Sequence, residues 1–363
     1  MKQKAIVIAL GSLLAASTAY ADIDLMGKEV QIYGKLHVSA DYYSLGRSVV
    51  GNTDPKGTEI TSNSSRIGFK GTKELRDDLS AVWMFESELD WSGETTEIKS
   101  RNRYLGLAGS WGTVKVGLHD TPFKDVGNDY TMFGDTIGDR RSILGVTSAH
   151  ANLFNVRAKN MVKYEIGAGD FSGGLMYSPD FDNKNSPDGS NGTTADDTLV
   201  SLGGSYKFGD LDVAASYEQQ NGIGGVKDAD ASGFRLGAKY KIDALKIGGI
   251  YESLSDDGYG AIIERDAYGV NASYKIEDFT LAGQYLVADA SNVAGGNDGA
   301  DQYTLGVYYD IAKSAQVYAA YSSTNNDTNA TYGLAQSGHG TVYNATKAGE
   351  TVWATSVGMV YSF

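Results

Sequence analysis

Four histidines are the side chains best suited to acid–base or metal chemistry in this sequence, and their neighbours support neither. A nucleophilic site needs a base within hydrogen-bond reach, and a zinc site needs several His, Cys, Asp or Glu ligands at short spacing. The chain has no cysteine, and no recognisable motif surrounds His37, His119, His150 or His339. We therefore expect no catalytic residue, no metal and no cofactor, and an enzyme is the least favoured alternative.

The charged residues follow a simpler rule, because they alternate with apolar residues. Between Val30 and Tyr43 one face of the pattern is apolar, and the other is polar and includes Lys35 and His37. Successive side chains of a β-strand point to opposite faces, so this period of two predicts a strand with one apolar and one hydrated face. A soluble sandwich would show the same alternation, so this strand alone does not decide the class of protein.

Three segments of the second half are near-copies of one another, and a looser fourth copy follows. They are Tyr206–Tyr217, Tyr240–Tyr251, Tyr274–Tyr285 and, less closely, Tyr309–Tyr321. The first three start about 34 residues apart, which suggests a helical repeat, but each copy is two alternating runs around a short polar break. Each is therefore predicted to be a tight-turned β-hairpin, and tyrosines where strands meet turns are typical of an aromatic girdle at a membrane surface.

The first residues have the features of an export signal. Lys2 and Lys4 precede an apolar run from Ala5 to Ala16, and a small-x-small cleavage motif ends at Ala21. We expect residues 1–21 to be a signal peptide that is cleaved, which leaves 22–363 as a single domain. No later apolar run reaches the roughly 18 residues of a membrane helix.

The connections between the predicted strands alternate between short and long, and 16 strands can be counted. An even count with short turns at one end and long loops at the other is typical of an outer-membrane β-barrel. Lipid cannot satisfy an open sheet edge, so the sheet must close, and about 16 strands enclose water whereas about eight would be filled by side chains. The sequence therefore predicts an all-β fold, a 16-stranded antiparallel transmembrane β-barrel around an aqueous channel.

Five segments, in this order, give the chain a more specific likeness. They are Val30–Ser39, Ser65–Gly71, Arg103–Gly117, Asn160–Tyr164 and Val357–Phe363. Across the predicted mature chain they resemble the Gram-negative general (non-specific diffusion) porins, in the branch that includes neisserial and other proteobacterial porins. The resemblance implies a homotrimer with one pore per barrel, an inward-folded third loop after the fifth strand, and a C-terminal signal at Phe363 that the barrel-assembly machinery reads.

The loop that matches the inward-folded one is His119–Ala151, which is rich in glycine and aspartate. The loop residues predicted to form a pore constriction are Asp125, Asp129, Phe133, Gly134 and Asp135, although the proline and glutamate that the family often has at this turn are absent. The basic wall residues predicted to face them are Lys35, Arg66, Arg101 and Arg103. Opposite charges across a narrow opening orient dipolar solutes and bias ion choice, whereas side chains in a wide lumen are screened within about 8 Å.

The two arginines of the fourth strand raise a difficulty of register. Strict alternation from Arg101 and Arg103 would place Leu105 and Leu107 on the same hydrated face. The prediction that both arginines face the lumen therefore requires a bulge, or a loop that extends further into the strand.

We predict a passive channel in the outer membrane of a Gram-negative bacterium, for ions and small hydrophilic solutes, with no chemical step. Acidic residues concentrate in the predicted outer loops, where divalent cations would link them to lipopolysaccharide, and the formal charge of −14 disfavours a nucleic-acid partner. Two alternatives remain open. A substrate-specific channel would show a row of aromatic rings along its lumen, and a plugged or adhesive barrel would conduct little.

Overall fold

The fold is taken from a computed structural model, which describes residues 23–47, 53–93, 98–147, 153–182, 197–223, 226, 228–257, 262–293, 295–336 and 338–363. The predicted signal peptide, residues 1–21, lies outside this described part of the chain. His150 also lies outside it, as does most of Pro179–Asp197, whose polar sequence predicts a long loop.

Sixteen antiparallel strands form one closed sheet in the described ranges, which confirms the predicted barrel. In chain order they are β1 (Gln31–Ser44), β2 (Lys56–Ser62 and Arg66–Arg76), β3 (Leu79–Glu88), β4 (Lys99–Gly109), β5 (Gly112–Asp120), β6 (Arg157–Ala168), β7 (Phe171–Ser178), β8 (Thr198–Phe208), β9 (Leu211–Asn221), β10 (Asp230–Ile242), β11 (Leu245–Asp256), β12 (Ile263–Ile276), β13 (Phe279–Ala288), β14 (Ala300–Ala312), β15 (Ala315–Asn326) and β16 (Val352–Ser362).

Each strand pairs with the next, and the last pairs with the first, so the sheet has no free edge. At this seam Val357 of β16 lies opposite Ala40 of β1. A two-residue strand, Ile23–Asp24, adds to the start of β1. Closure matters because each unpaired backbone group in lipid costs several kcal/mol.

The described chain contains a short α-helix, α1 (Pro122–Asp129), and a 3₁₀ turn, Arg140–Ser142. Both lie in the connection between β5 and β6, which we call the β5–β6 segment (residues 121–156). Among the described residues, no helix has the length and apolar character needed to cross a membrane.

The repeated segments form the predicted hairpins. Phe208 pairs with Leu211 and Ile242 pairs with Leu245, so the turn between each pair of strands is two residues long. Gly209 at the first turn has φ = 63°, a left-handed conformation that two-residue hairpin turns require and that glycine adopts without steric cost. The short turns therefore follow from local sequence.

Strand β2 begins earlier than the sequence pattern indicated. The polar sequence of residues 44–62 predicts a loop, but Lys56–Ser62 pairs with β1 and forms the first half of β2. Ser64, at φ = 48°, breaks the strand before Arg66–Arg76 continues the pairing. A short, mostly polar run of strand gives too little apolar periodicity to be recognised.

The two faces of the sheet differ as the alternation predicts. Large apolar side chains are exposed on the outer face, and on β8–β14 they include two rows of tyrosines: Tyr206, Tyr240, Tyr274 and Tyr309, and Tyr217, Tyr251, Tyr268, Tyr285 and Tyr303. The inner face carries polar and small residues, and many of them are buried by the β5–β6 segment. The apolar core therefore lies inside the barrel, where Val126, Ile143 and Leu144 pack against Ala214 and Ile250.

Candidate functional site

The barrel encloses a cavity of ≈ 2120 Å³ that is lined mostly by polar and charged side chains. Three of the four predicted basic residues line it, as do all five predicted residues of the β5–β6 segment. They are Lys35, Arg66 and Arg101, with Asp125, Asp129, Phe133, Gly134 and Asp135. Arg103 does not line this cavity.

Helix α1 starts the β5–β6 segment and lies against the inner face of β7–β10. Its N-cap is Thr121, whose hydroxyl accepts a hydrogen bond from the Lys124 backbone N–H at 3.2 Å. The backbone N–H of Phe123 donates to the Ser201 hydroxyl of β8 at 3.1 Å, and the Arg235 guanidinium of β10 lies 3.9 Å from the Phe123 ring centre. Packing, cap and hydrogen bonds together fix the position of the helix.

After α1 the segment continues along the inner face toward β13. The Tyr130 hydroxyl donates to Asp212 of β9 at 2.6 Å, and its ring covers Gly237 of β10 so closely that a Cβ there would overlap it. The side-chain amide of Asn271 on β12 donates to the Tyr130 carbonyl at 2.9 Å. Further on, the Met132 backbone N–H donates to the Gln284 side chain of β13 at 2.7 Å.

The tip of the segment reaches β14 and β1. Phe133 and Asp135 both have left-handed backbone conformations, and the Phe133 ring centre lies 6.1 Å from that of Tyr308 on β14. The Asp135 carboxylate accepts from the Lys35 ammonium of β1 at 2.7 Å and from the Arg141 guanidinium at 3.0 Å. Lys35 and Asp135 therefore touch, whereas we had expected them to face each other across an open gap.

The other two basic residues of the wall also have carboxylates beside them. Arg101 donates to Glu86 at 2.5 Å and to Glu88 at 2.9 Å, and Arg66 lies 3.8 Å from the Glu86 carboxylate. The Tyr33 hydroxyl adds a hydrogen bond to Glu86 at 3.0 Å. Sequence reasoning did not assign the two glutamates to the site, although both lie on the polar face of β3 and Glu88 pairs in register with Arg66.

Arg103 lies on the outer face of the barrel, which corrects the prediction that it faces the lumen. Phe85 pairs with Arg103 and Ser87 with Ser100, so β4 has one more residue than β3 over this stretch. This bulge turns Arg101 inward together with the residue after it, and alternation then carries Arg103 outward. There its guanidinium lies 4.4 Å from the exposed Phe85 ring and donates to the Ser87 hydroxyl at 3.1 Å.

The described histidines serve as hydrogen-bonding partners. His37 lies 2.9 Å from the Tyr318 hydroxyl, and His339 lies 2.8 Å from the Asp41 carboxylate. Within the described ranges, no group of three or more His, Cys, Asp or Glu residues is arranged to hold a metal ion.

Asp129, at the end of α1, has a carboxyl group whose pKa is strongly raised. Burial, and then repulsion from Asp125, raise the pKa of Asp129 to about 7, against the lowering effect of Lys239. The carboxyl group therefore changes charge near neutral pH.

The C-terminal residue completes the seam of the barrel. Phe363 exchanges two backbone hydrogen bonds with Gly34 of β1, at 2.8 and 3.0 Å, and its ring covers that glycine. A Cβ at residue 34 would overlap the ring. The predicted role of Phe363 in assembly stays a prediction.

Known proteins share both the sequence pattern and the fold of this chain. A family model described as Gram-negative porin matches residues 5–329. The major outer membrane protein P.IB of Neisseria gonorrhoeae is 29% identical over 187 residues, which are 49% of this chain and 49% of that protein. The chain thus spans about half the length of the curated relatives that it matches.

Solved structures with the same fold cover almost the whole chain. The anion-selective porin from Comamonas acidovorans superposes with a TM-score of 0.77 at 24% identity, over 92% of this chain and 99% of that one. Salmonella typhi OmpF, in complex with daunomycin, gives 0.65 at 18% identity, over 94% and 100%. At these identities the likeness concerns the fold.

Proposed function

Since this chain belongs to the Gram-negative porin family, we propose that it is a passive diffusion channel of the outer membrane for ions and small hydrophilic solutes. Members of this family are channels rather than enzymes. One observation carries the proposal: a closed barrel of sixteen strands surrounds a cavity of ≈ 2120 Å³ with charged walls. A barrel of this size encloses water instead of being filled by its own side chains.

The β5–β6 segment is proposed to fold inward and form the constriction. Its contacts run along the inner faces of β8, β10 and β13 to β1, and Asp125 of α1 binds Lys163 of β6 at 3.0 Å, which leaves the walls of β2–β4 as the open side of the lumen. The opening would therefore lie between α1 and the side chains of Arg66 and Arg101. Because each of these cations has a carboxylate within 3.8 Å, the transverse field is weaker than the one predicted from separated charges.

The test is single-channel conductance of the refolded protein in a planar lipid bilayer, with the reversal potential taken across a salt gradient. We expect large, weakly selective conductance steps, because size selects more than charge when wall charges are paired. A folded, heat-modifiable protein that gives no steps would contradict the channel and favour a plugged or adhesive barrel.

We propose a homotrimer, with the outer face of β2–β5 as its contact surface. In the described ranges this part of the outer face carries no tyrosine, whereas tyrosine rows continue over β8–β14. Rows of tyrosines are typical of surfaces that face the lipid interface, whereas the exposed aromatic residues on this face include Phe69, Phe85 and Trp111. The absence of a tyrosine row favours a protein neighbour. Arg103 is on this surface, where a charged group facing lipid would be costly.

Arg103→Glu is expected to weaken the trimer and to leave the conductance of each barrel unchanged. The carboxylate cannot replace the contact with the Phe85 ring, and a charge without a partner is costly in a protein contact. Semi-native gel electrophoresis over a temperature series would show dissociation at a lower temperature. Lys313→Glu, in the exposed turn between β14 and β15, is the matched control, and equal behaviour of the two variants would contradict the assignment of this surface.

Ion selectivity is expected to change with pH near neutrality. As the pH falls through the pKa of Asp129, at about 7, its carboxylate becomes neutral and the lumen loses a negative charge. Cations are then attracted less, so the cation-to-anion permeability ratio falls. Reversal potentials on either side of neutral pH measure this; Asp129→Asn should abolish the change, and Asp77→Asn in an exposed turn should retain it.

The two ends of the chain are proposed to act during export and assembly. Residues 1–21 would be removed as a signal peptide, which mass spectrometry of the mature N-terminus tests directly. Phe363 would be read by the barrel-assembly machinery, and divalent cations would link the acidic outer loops to lipopolysaccharide. The position of Phe363 directly after β16, half-buried next to the seam, supports its proposed contact with the barrel-assembly machinery.

A further inference from the structure

The last loop (residues 327–351, between β15 and β16) packs inside the barrel over part of its length. Among its described residues, Leu334 and Ala335 are fully buried and Tyr343 is 1% exposed. They belong to one apolar cluster with Tyr318, whose side chain is on the inner face of β15. A long outer loop of a barrel is ordinarily solvated, so burial on this scale indicates a specific position.

Polar contacts fasten the last loop to β1 and β2. The Asp41 carboxylate, buried on the inner face of β1, accepts from the Tyr343 hydroxyl at 3.0 Å and lies 2.8 Å from Nε2 of His339. The backbone N–H of Gly340 donates to the Asn63 side chain, between the two halves of β2, at 3.2 Å. A buried carboxylate is costly without such partners, so these contacts strongly favour one position of the loop.

The last loop also contacts the tip of the β5–β6 segment. Ile137 of that segment packs in the apolar cluster of the loop. Gly338 lies so close to Arg141 and Asp135 that a Cβ at this position would overlap both side chains. Since Asp135 in turn binds Lys35, the loop, the tip and β1 form one continuous set of contacts.

From these contacts we propose that the last loop is a second constricting element, which narrows the outer entrance and holds the tip of the β5–β6 segment against β1. The proposal rests on the proposed channel function. None of the described residues of the last loop lines the ≈ 2120 Å³ cavity, because they fill a sector of the barrel beside it. The loop therefore sets the size of the solutes that enter, and His339 and Gly338 are positioning residues.

The experiment replaces residues 330–349 by a short Gly-Ser linker and measures single-channel conductance and the swelling of liposomes in sugars of increasing size. We expect higher conductance and entry of a sugar that the natural protein excludes. The control removes residues 290–293, a mostly exposed part of the loop between β13 and β14 that lies before the residues in contact with the last loop. The control should leave both readouts unchanged.

A single substitution tests the contact with the tip without shortening the chain. Gly338→Leu is expected to separate the loop from Arg141 and to increase conductance fluctuations, whereas Thr328→Leu, on an exposed part of the same loop, should not. If the deletion variant forms folded trimers with unchanged conductance and unchanged size cutoff, the inference is wrong. If the unaltered protein gives no conductance, the proposed channel function is wrong. That outcome differs from a conducting protein whose loop deletion has no effect, which contradicts only the role of the last loop.

Discussion

Arg101→Ala is expected to make the pore several-fold more selective for cations. The guanidinium lies 2.5 Å from Glu86 and 2.9 Å from Glu88, so its removal leaves both carboxylates less compensated on the inner wall. A unit charge about 7 Å from the path of a monovalent ion changes the energy of that ion by about 0.6 kcal/mol in water. This changes its local concentration about threefold, upward for a cation and downward for an anion. The reversal potential across a potassium chloride gradient measures the permeability ratio.

The chain supplies its own control two residues away. Arg103→Ala removes the same chemical group from the outer face of the same strand, and it should leave the reversal potential unchanged. If both variants shift the selectivity equally, or neither does, the bulge in β4 does not separate the two arginines as described.

Glu252→Ala is expected to destabilise the barrel more than other single substitutions on its wall. The Glu252 carboxylate accepts from Arg235 at 3.0 Å, from Arg265 at 3.1 Å and from the backbone N–H of Gly145 at 2.7 Å. Its side chain is fully buried. Removing one partner of a buried ion pair typically costs about 3–5 kcal/mol, because the remaining charge is left without compensation.

The loss has two consequences that can be measured separately. The free energy of unfolding in urea should fall by about 3–5 kcal/mol, and the released end of the β5–β6 segment should increase current noise, since Gly145 belongs to it. Glu264→Ala, an exposed residue on the next strand, is the control and should change stability by less than about 0.5 kcal/mol. If Glu252→Ala lowers neither the free energy of unfolding nor the steadiness of the current, the ion pairs of Glu252 do not stabilise the barrel.

The barrel could be predicted from the sequence because every strand carries the same local signal. Alternation reports which face a side chain occupies, and it placed Lys35 and Arg66 on the inner face correctly. The alternation of short turns and long loops marks the end of each strand, so sixteen strands could be counted. These signals depend only on residues that are close together in the sequence. The start of β2 at Lys56 was missed, because its alternation is short and mostly polar.

The details of the candidate site depend on information that alternation does not contain. One extra residue in β4 reverses the side of every residue after it, which is why Arg103 was assigned to the wrong face. The contact of Lys35 with Asp135 joins positions 100 residues apart. The packing of the last loop likewise depends on distant partners, since His339 meets Asp41 from the far end of the chain. No local pattern reports such contacts.

The seam between β1 and β16 has a consequence for biogenesis. Because β1 pairs with β16, down to the hydrogen bonds between Gly34 and Phe363, the sheet cannot close until Phe363 has reached the place where the barrel folds. Until then the chain exposes strand edges and apolar faces, which are the features that promote aggregation. We therefore expect the unclosed chain to need protection from aggregation, and removal of β16 to leave β1 and β15 as open edges.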